Sequence, residues 1–501
     1  MTRLSELVER GLGLEVWGDA SVEVRGVRHD SREVEPGDLF VAVPGLTTDG
    51  ARFVPSAVAR GAAAVAVQAR VDGVDVPQLH VADARAALGH LASVVYGEPT
   101  HALEVVGLTG TNGKTTTTWI VDEALSLLGA RPSLLGTVES RGPGVRDATS
   151  LTTPEGDVIA RFARRMVDAG ATHLVMEVSS HALELRRADG VRFGVVGFTN
   201  FSQDHLDLHG SMEAYYAAKT RLFLELSPRA GVINVDDPHG ARLAREAATA
   251  VPRLIRVSRA GAADAEVRVL SATHGRDGIR ARVEVLGEAV ELVSPLIGAH
   301  NLENLLLALG CLVALDRAPA DAAAALGHAR GAPGRLERVD GLPDVAVLVD
   351  YAHTPVALGR ALDALEEITP GRRIVVFGCG GDRDPGKRPM MGEAAAARAD
   401  LVVVTSDNPR SEDPFAILAA IEPGVAKHRA AADLATAERG YEVIEDRHAA
   451  IRRAIRLARP GDTVLIAGKG HEDYQLRGAE VLHFDDREEA RAAIAALGEE
   501  A

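Results

Sequence analysis

The run Gly110-Thr111-Asn112-Gly113-Lys114-Thr115, followed by Thr116, packs two glycines, a lysine and adjacent hydroxyls into one short stretch. Glycines let backbone N–H groups curl round phosphate oxygens, and a helix starting there adds a favourable dipole. Lys114 is then placed to reach β- and γ-phosphates, and the Thr115 hydroxyl to ligate Mg²⁺. One departure is plain: the position five before Gly113 is Leu108, where the common G-x-x-x-x-G-K-[ST] pattern has glycine, so the loop is a variant. Such a loop needs a carboxylate for its cation. Glu177 closes the apolar run Leu174-Val175-Met176-Glu177-Val178, where it would face the phosphates, and Ser179-Ser180-His181 follow. Asp204, His205, Asp207 and His209 then crowd into six positions just after another apolar run, a density that marks a site rather than a solvated face. Lys219, within Tyr215-Tyr216-Ala217-Ala218-Lys219-Thr220-Arg221, reads on its own as a surface lysine of an amphipathic helix.

A phosphate loop works only if a strand and a helix hold it. Residues 104–108 read as a buried strand feeding the turn, and 115–128 as the helix that leaves it. Further buried strands are expected at 174–178, 195–199 and 231–235 with helices between them, then a β meander over 266–293 and a helix over 302–315. Before this segment, 39–43 and 63–67 are β-like and 83–96 helical; after it, 345–350, 373–377, 401–406 and 463–467 are strands spaced by helix-length stretches. Breaks fall at Gly97-Glu98-Pro99-Thr100 and Gly331-Ala332-Pro333-Gly334. The expected fold is α/β with three domains. Residues 1–100 form a small α/β domain, 101–332 a central P-loop domain with a doubly wound, mostly parallel sheet, and 333–501 a Rossmann-like domain.

The 501 residues agree with three domains of roughly 150 residues each. Aromatics are only 4%, which leaves little for stacking platforms that bind single-stranded nucleic acid. Lys and Arg total 55 against 71 Asp and Glu, a formal charge of −16, the wrong sign for nucleic acid or an anionic membrane as main partner. Cys311 and Cys379 support neither a disulfide framework nor a cysteine-rich metal site. With no leader-like h-region and no stretch near the roughly 18 apolar residues of a membrane span, the expectation is a cytoplasmic protein, and a monomer.

Taken together, these residues closely resemble the Mur ligases, ATP-dependent amide-forming enzymes of peptidoglycan precursor synthesis. The resemblance spans essentially the whole chain. It rests on the phosphate loop, Glu177 to His181, Asn200 to His209 with Lys219, His300-Asn301-Leu302-Glu303-Asn304, Gly334-Arg335-Leu336-Glu337, Asp350-Tyr351-Ala352-His353-Thr354-Pro355 and Gly378 to Arg388. Two further stretches are similar to the branch that adds 2,6-diaminopimelate to UDP-N-acetylmuramoyl-L-alanyl-D-glutamate. One is Asp30-Ser31-Arg32 with Pro36-Gly37-Asp38-Leu39-Phe40; the other is Asp407-Asn408-Pro409-Arg410, associated there with the meso isomer and completed by Ala467-Gly468-Lys469-Gly470-His471-Glu472. Diaminopimelate carries a second amino-acid head, whose carboxylate suits Arg410 and whose ammonium suits Asp407 or Glu472. Outside that context Asn-Pro is a common turn and Arg410 a surface charge.

The resemblance implies a mechanism. The D-glutamate γ-carboxylate attacks the γ-phosphate of ATP, and the amine of diaminopimelate then displaces phosphate from the acyl phosphate. It implies ATP contacts at residues 110–116, Asn301, Asn304, Arg335, Asp350 and His353, the last three making closure of the third domain a requirement for turnover. UDP-substrate contacts are implied at Ser31, Thr152, Thr153, Ser179 and Arg187, with Leu185 standing where the family often has glutamine. Diaminopimelate contacts are implied at Arg388, Asp407, Asn408, Pro409, Arg410, Gly468 and Glu472. Mg²⁺ is implied at Thr115 and Glu177, and a second Mg²⁺ at His205 and Lys219, the latter at the position that is carbamylated in the family. Lys114, Glu177, His205 and Lys219 are therefore the expected catalytic set. The rivals are LL-diaminopimelate or lysine as substrate, a folylpolyglutamate synthase, and a P-loop ATPase switch. Asp30-Ser31-Arg32 argues against the folate enzyme, and Arg410 against lysine.

Overall fold

The computed structural model describes residues 1–45, 48–149 and 151–500. The chain forms two compact units, one of Met1–Leu270, Arg282–Glu291 and Glu303–Leu326, the other of Ser271–Ala281, Leu292–Leu302 and Gly327–Ala501.

Within the first unit, the amino-terminal segment builds a five-stranded sheet in the order Glu15–Trp17, Gln78–His80, Ala64–Val67, Asp38–Val41, Gly26–Arg28. The last four run parallel. Ala64–Val67 is buried at every position because both faces of a parallel sheet are covered, which is why it reads as an unbroken apolar run. Helix Ala84–Val95 is capped by Asp83, whose carboxylate accepts from the Arg85 and Ala86 amides.

The larger sheet runs in the order Val145–Ala148, Glu139–Gly142, Pro132–Leu135, His173–Glu177, Glu104–Thr109, Val195–Phe198, Ala230–Asn234, Arg253–Ser258, Val267–Gly275, and continues through Gly278–Val285 and Glu288–Ser294. From Pro132–Leu135 to Val267–Gly275 the pairs are parallel. Glu104–Thr109 sits centrally, and the chain winds first to one side of it and then to the other. That reversal opens a crevice beyond the carboxyl ends of the strands, the usual ligand position in such sheets. The edge hairpin Glu139–Gly142 and Val145–Ala148 escaped the sequence reading because its residues are mostly polar and only partly buried, with no apolar alternation to mark it. Leu108 is fully buried and in register with Glu177, so the strand runs on where the common pattern already turns.

The second unit holds a sheet in the order Glu337–Val339, Ala346–Asp350, Thr463–Ala467, Arg373–Phe377, Leu401–Val404, Gly440–Val443. Its first pair is antiparallel and the rest parallel. Helices cover both faces, so Val402 and Val404 join one core while Leu401 and Val403 join the other. Cys311 and Cys379 are both buried thiols, each pushed up to about 12 by that burial. Among the described residues no helix is long and apolar enough to cross a membrane.

Candidate functional site

In the first unit, the phosphate loop lies between Glu104–Thr109 and helix Lys114–Leu127. Gly113 has φ +85°, and a Cβ there would meet Asn304 Oδ1 at 2.4 Å, so both backbone angle and space demand glycine. Thr117 Oγ1 donates to the same Asn304 oxygen at 3.3 Å. The loop is braced by a segment that sequence reasoning treated as chemistry. Asn112 N–H donates to Asn200 Oδ1 (3.0 Å), Thr199 Oγ1 donates to the Asn112 carbonyl (2.6 Å), and Thr111 N–H donates to the Asn200 carbonyl (2.8 Å). Thr199 and Asn200 thus shape the loop. Lys114 Nζ arches over it, donating to the Gly110 and Thr111 carbonyls at 2.9 and 3.0 Å.

Thr115 Oγ1 donates to Glu177 Oε2 at 2.8 Å, and Glu177 Oε1 accepts from the Thr137 amide at 2.7 Å. A hydroxyl and a buried carboxylate meeting beside a phosphate loop are hard oxygen donors suited to Mg²⁺, which takes its remaining ligands from phosphate and water. No group of three or more His, Cys, Asp or Glu side chains that could hold a metal ion occurs among the described residues.

Lys219 overturns its surface reading: it is 1% exposed. Its Nζ donates to the Gly110 carbonyl at 2.8 Å and lies 4.5 Å from the Tyr215 ring centre. Among the described residues no carboxylate forms an ion pair with it. Burial first, then the neighbouring Lys114 charge, holds its pKa well below the ordinary lysine range. Tyr215 is the hinge of this corner and carried no signal in the sequence. Its hydroxyl meets Thr111 Oγ1 at 3.2 Å, and the His205 and His209 rings lie 6.0 and 5.1 Å from its own. His181 packs edge-on to His205 at 4.6 Å. Burial lowers the pKa of His181 and of His209, which favours neutral rings able to ligate or accept.

Beside Glu177 the residues expected at the UDP-substrate are knitted together. Thr153 Oγ1 donates to the Glu177 carbonyl (2.9 Å) and accepts from the Ser179 amide (3.1 Å), while Thr152 and Thr137 hydroxyls meet at 3.0 Å. Arg187 donates to Glu155 Oε1 (2.8 Å) and to the Thr153 carbonyl (3.2 Å), so Glu155, which sequence reasoning missed, fixes its direction. Ser31 is the buried first residue of a 3-10 turn capped by Asp30. Leu185 closes the short helix Ser180–Glu184.

In the second unit every expected site residue except Asn301, Arg335 and Arg388 follows the carboxyl end of a parallel strand or is its last residue. Asp350 spends both oxygens on backbone amides, Leu336 and Ala352, each at 2.8 Å, and burial raises its pKa. The Arg335 guanidinium lies 4.9 Å from the Tyr351 ring, and the His353 ring meets the Tyr351 carbonyl through Nδ1 at 2.8 Å. Asn301, on the helix Ala299–Ala314, is buried and donates its amide to the Ile297 carbonyl.

The 407–410 stretch is drawn against two others. Gly381 N–H donates to the Asn408 carbonyl at 2.9 Å, and Arg410 NH1 donates to the Gly381 carbonyl at 2.7 Å. Arg410 has φ +53°, strain kept in place by backbone bonds from Arg410 N–H to Leu476 and from Gly478 N–H to Arg410. Arg388, 5% exposed, holds Glu412 with both carboxylate oxygens at 2.8 Å. Gly468 has φ +121° and a Cβ there would lie 2.6 Å from Asp407 Oδ2, so glycine is what lets the carboxylate sit against the backbone. Asn408 Nδ2 donates to Glu472 Oε2 at 3.0 Å. Beneath these loops the fully buried Arg447 is paired with Asp486 through two 2.7 Å bonds, and it also donates to the Ser406 and Ala467 carbonyls.

Comparison with known proteins agrees with this arrangement. Residues 23–96 match the family model described as Mur ligase family, catalytic domain; 108–312 match the Mur ligase middle domain; and 334–470 match the Mur ligase glutamate ligase domain. A Geobacter metallireducens protein named UDP-N-acetylmuramoyl-L-alanyl-D-glutamate–2,6-diaminopimelate ligase is 45% identical, covering 99% of each chain. A Streptomyces coelicolor protein of the same name is 45% identical over 98% of this chain and 96% of its own. A solved structure titled with that name superposes with a TM-score of 0.76 at 32% identity, covering 99% of both chains. With three family models in order along it and relatives of this identity over its full length, the chain belongs to the Mur ligase family.

Proposed function

We propose that this chain is the ATP-dependent ligase that joins meso-2,6-diaminopimelate to the D-glutamate γ-carboxylate of UDP-N-acetylmuramoyl-L-alanyl-D-glutamate, in the cytoplasm. The observation that carries the reading is the pair of constellations just described: in one unit a phosphate loop with a buried lysine that no carboxylate pairs among the described residues, and in the other the strand-end loops that carry Asp407, Arg410 and Glu472. A pocket with charges of both signs fits a zwitterionic amino-acid head better than a simple anion or amine. The three segments 1–100, 101–332 and 333–501 are assigned to UDP-substrate, ATP and amino acid respectively.

The γ-carboxylate oxygen attacks the γ-phosphorus of ATP, ADP leaves, and an acyl phosphate forms. The neutral amine of diaminopimelate then adds to the acyl carbon, phosphate departs, and one proton is lost from nitrogen. The first step sets a carboxylate against a triphosphate and the second builds an oxyanion beside a phosphate, so fixed cations and amides supply the stabilisation. Lys114 and the loop amides hold the ATP phosphates. Arg187, aimed by Glu155, and Thr153 with Ser179 hold the UDP-substrate at the strand end that carries Glu177. Thr115 and Glu177 would hold one Mg²⁺, and His205 with Lys219 a second, each neutralising phosphate charge when bound. An ammonium at Lys219 would oppose a metal, whereas its neutral amine can add to CO₂, lose a proton and become an anionic carbamate.

Phosphate release from ATP is expected to require both the UDP-dipeptide and an amino acid, with meso-diaminopimelate favoured over the LL isomer and over lysine. Release independent of the amino acid would overturn the ligase reading and favour an ATPase switch. Arg410→Ala is expected to raise the KM for diaminopimelate about tenfold or more with the KM for ATP within about twofold. Equal effects on both would contradict the pocket assignment.

A further inference from the structure

Lys469 has no part in the chemistry above, yet like Arg447 it is a cation buried beneath the amino-acid loops, with no exposed surface. Its Nζ donates to Asn408 Oδ1 at 3.0 Å and to the Tyr474 carbonyl at 2.6 Å. It stands 3.9 Å from Asp407 Oδ1 and 3.8 Å from Glu472 Oε2. Asn408 Oδ1 accepts a second bond, from the Leu476 amide at 3.0 Å. Two donors on one amide oxygen leave no freedom in the assignment, since turning the amide over would set its NH₂ group against an ammonium and an N–H. Asn408 Nδ2 must therefore point away from Lys469, and it donates to Glu472 Oε2 at 3.0 Å. The chain of contacts runs ammonium, amide oxygen, amide nitrogen, carboxylate.

We infer that Lys469 is a specificity-determining positioning residue: by locking the Asn408 amide it aims the Glu472 carboxylate at the distal ammonium of the amino-acid substrate. The inference rests on the reading of this pocket as the diaminopimelate site and deepens it. Two carboxylates, Asp407 and Glu472, share a poorly solvated corner, and one of them would tend to take up a proton. Burial, and then the Asp407 charge, raise the Glu472 pKa, and the Lys469 charge opposes them. The Lys469 charge works against that rise at Glu472, and the amide relay spends only Oε2 of Glu472 inside the protein.

The test compares meso-diaminopimelate with 2-aminopimelate, which keeps both carboxylates and lacks the distal ammonium. The unmodified chain is expected to prefer diaminopimelate strongly in kcat/KM. Lys469→Met, which retains an unbranched apolar stem, is expected to raise the KM for diaminopimelate at least about tenfold and to collapse that preference, with the KM values for ATP and UDP-dipeptide within about twofold. A merely structural lysine would lower activity with both amino acids alike, and that result, or an unchanged preference, would overturn the inference. Should Lys469→Met fail to fold, Asn408→Asp carries the test. It keeps the acceptor for Lys469 and removes the donor to Glu472, so the same collapse is expected, and a retained preference would overturn the relay. Absence of diaminopimelate-dependent phosphate release in the unmodified chain overturns the functional reading itself, and the relay with it, so the two failures are told apart by which protein shows them.

Discussion

Replacing Lys219 by alanine is expected to cut turnover by on the order of 10³-fold, as loss of a preorganised charge stabiliser does, while leaving the fold intact. The side chain is almost wholly buried, its nitrogen is bonded to the loop carbonyl of Gly110, and Lys114 lies near. A permanent ammonium there would be repelled by Lys114 and by any cation the site holds. The lowered pKa works in one direction: at neutral pH a larger share of Lys219 is the free amine, the form that reacts with CO₂, and the share falls as pH drops. Depleting CO₂ from the buffer should therefore depress the unmodified enzyme and bicarbonate restore it, with a carbon-13 carbamate resonance appearing from labelled bicarbonate. In Lys219→Ala the resonance should vanish and acetate, a small carboxylate, should recover part of the turnover. Wild-type turnover in Lys219→Ala, with no effect of acetate, would end the carbamate proposal.

The largest stability effect is expected at Asp486. Asp486→Ala strands the fully buried Arg447 guanidinium, and a loss of about 3–5 kcal/mol is the usual size for breaking such a pair. Urea unfolding of the full chain, followed by a probe in the second unit, would measure it; a loss below about 1 kcal/mol would show that Arg447 is satisfied by its bonds to the Ser406 and Ala467 carbonyls alone. Because those carbonyls immediately precede Asp407 and Gly468, the same variant should weaken diaminopimelate more than ATP. Replacing both partners with Met and Leu should be milder than Asp486→Ala, since no lone charge is left behind.

Much of the architecture was legible because parallel strands buried on both faces read as unbroken apolar runs. The strands around residues 104, 174, 195, 373 and 463 fell within a residue or so of expectation. The phosphate loop was legible because its glycines answer local geometry. Lys219 was not, since a lysine buried by tertiary packing looks no different in sequence from one in water, and only the family resemblance raised it. Nor was the division of labour within 199–209, where Thr199 and Asn200 brace the loop and His205 faces His181. Partners distant in sequence, Glu155 for Arg187, Glu412 for Arg388, Asp486 for Arg447, leave no periodic trace, because a single ion pair imposes no spacing on its neighbours.

The two buried cysteines have a practical consequence. With both thiols pushed up to about 12 and shielded from solvent, neither offers an accessible thiolate to a maleimide or iodoacetamide at neutral pH. A pair of cysteines introduced at exposed positions, Leu127 in the first unit and Val481 in the second, would thus be labelled against a silent background, with no need to remove native residues. Resonance energy transfer between such dyes, followed as ATP, UDP-dipeptide and amino acid are added in turn, would turn the order of substrate engagement into an optical signal.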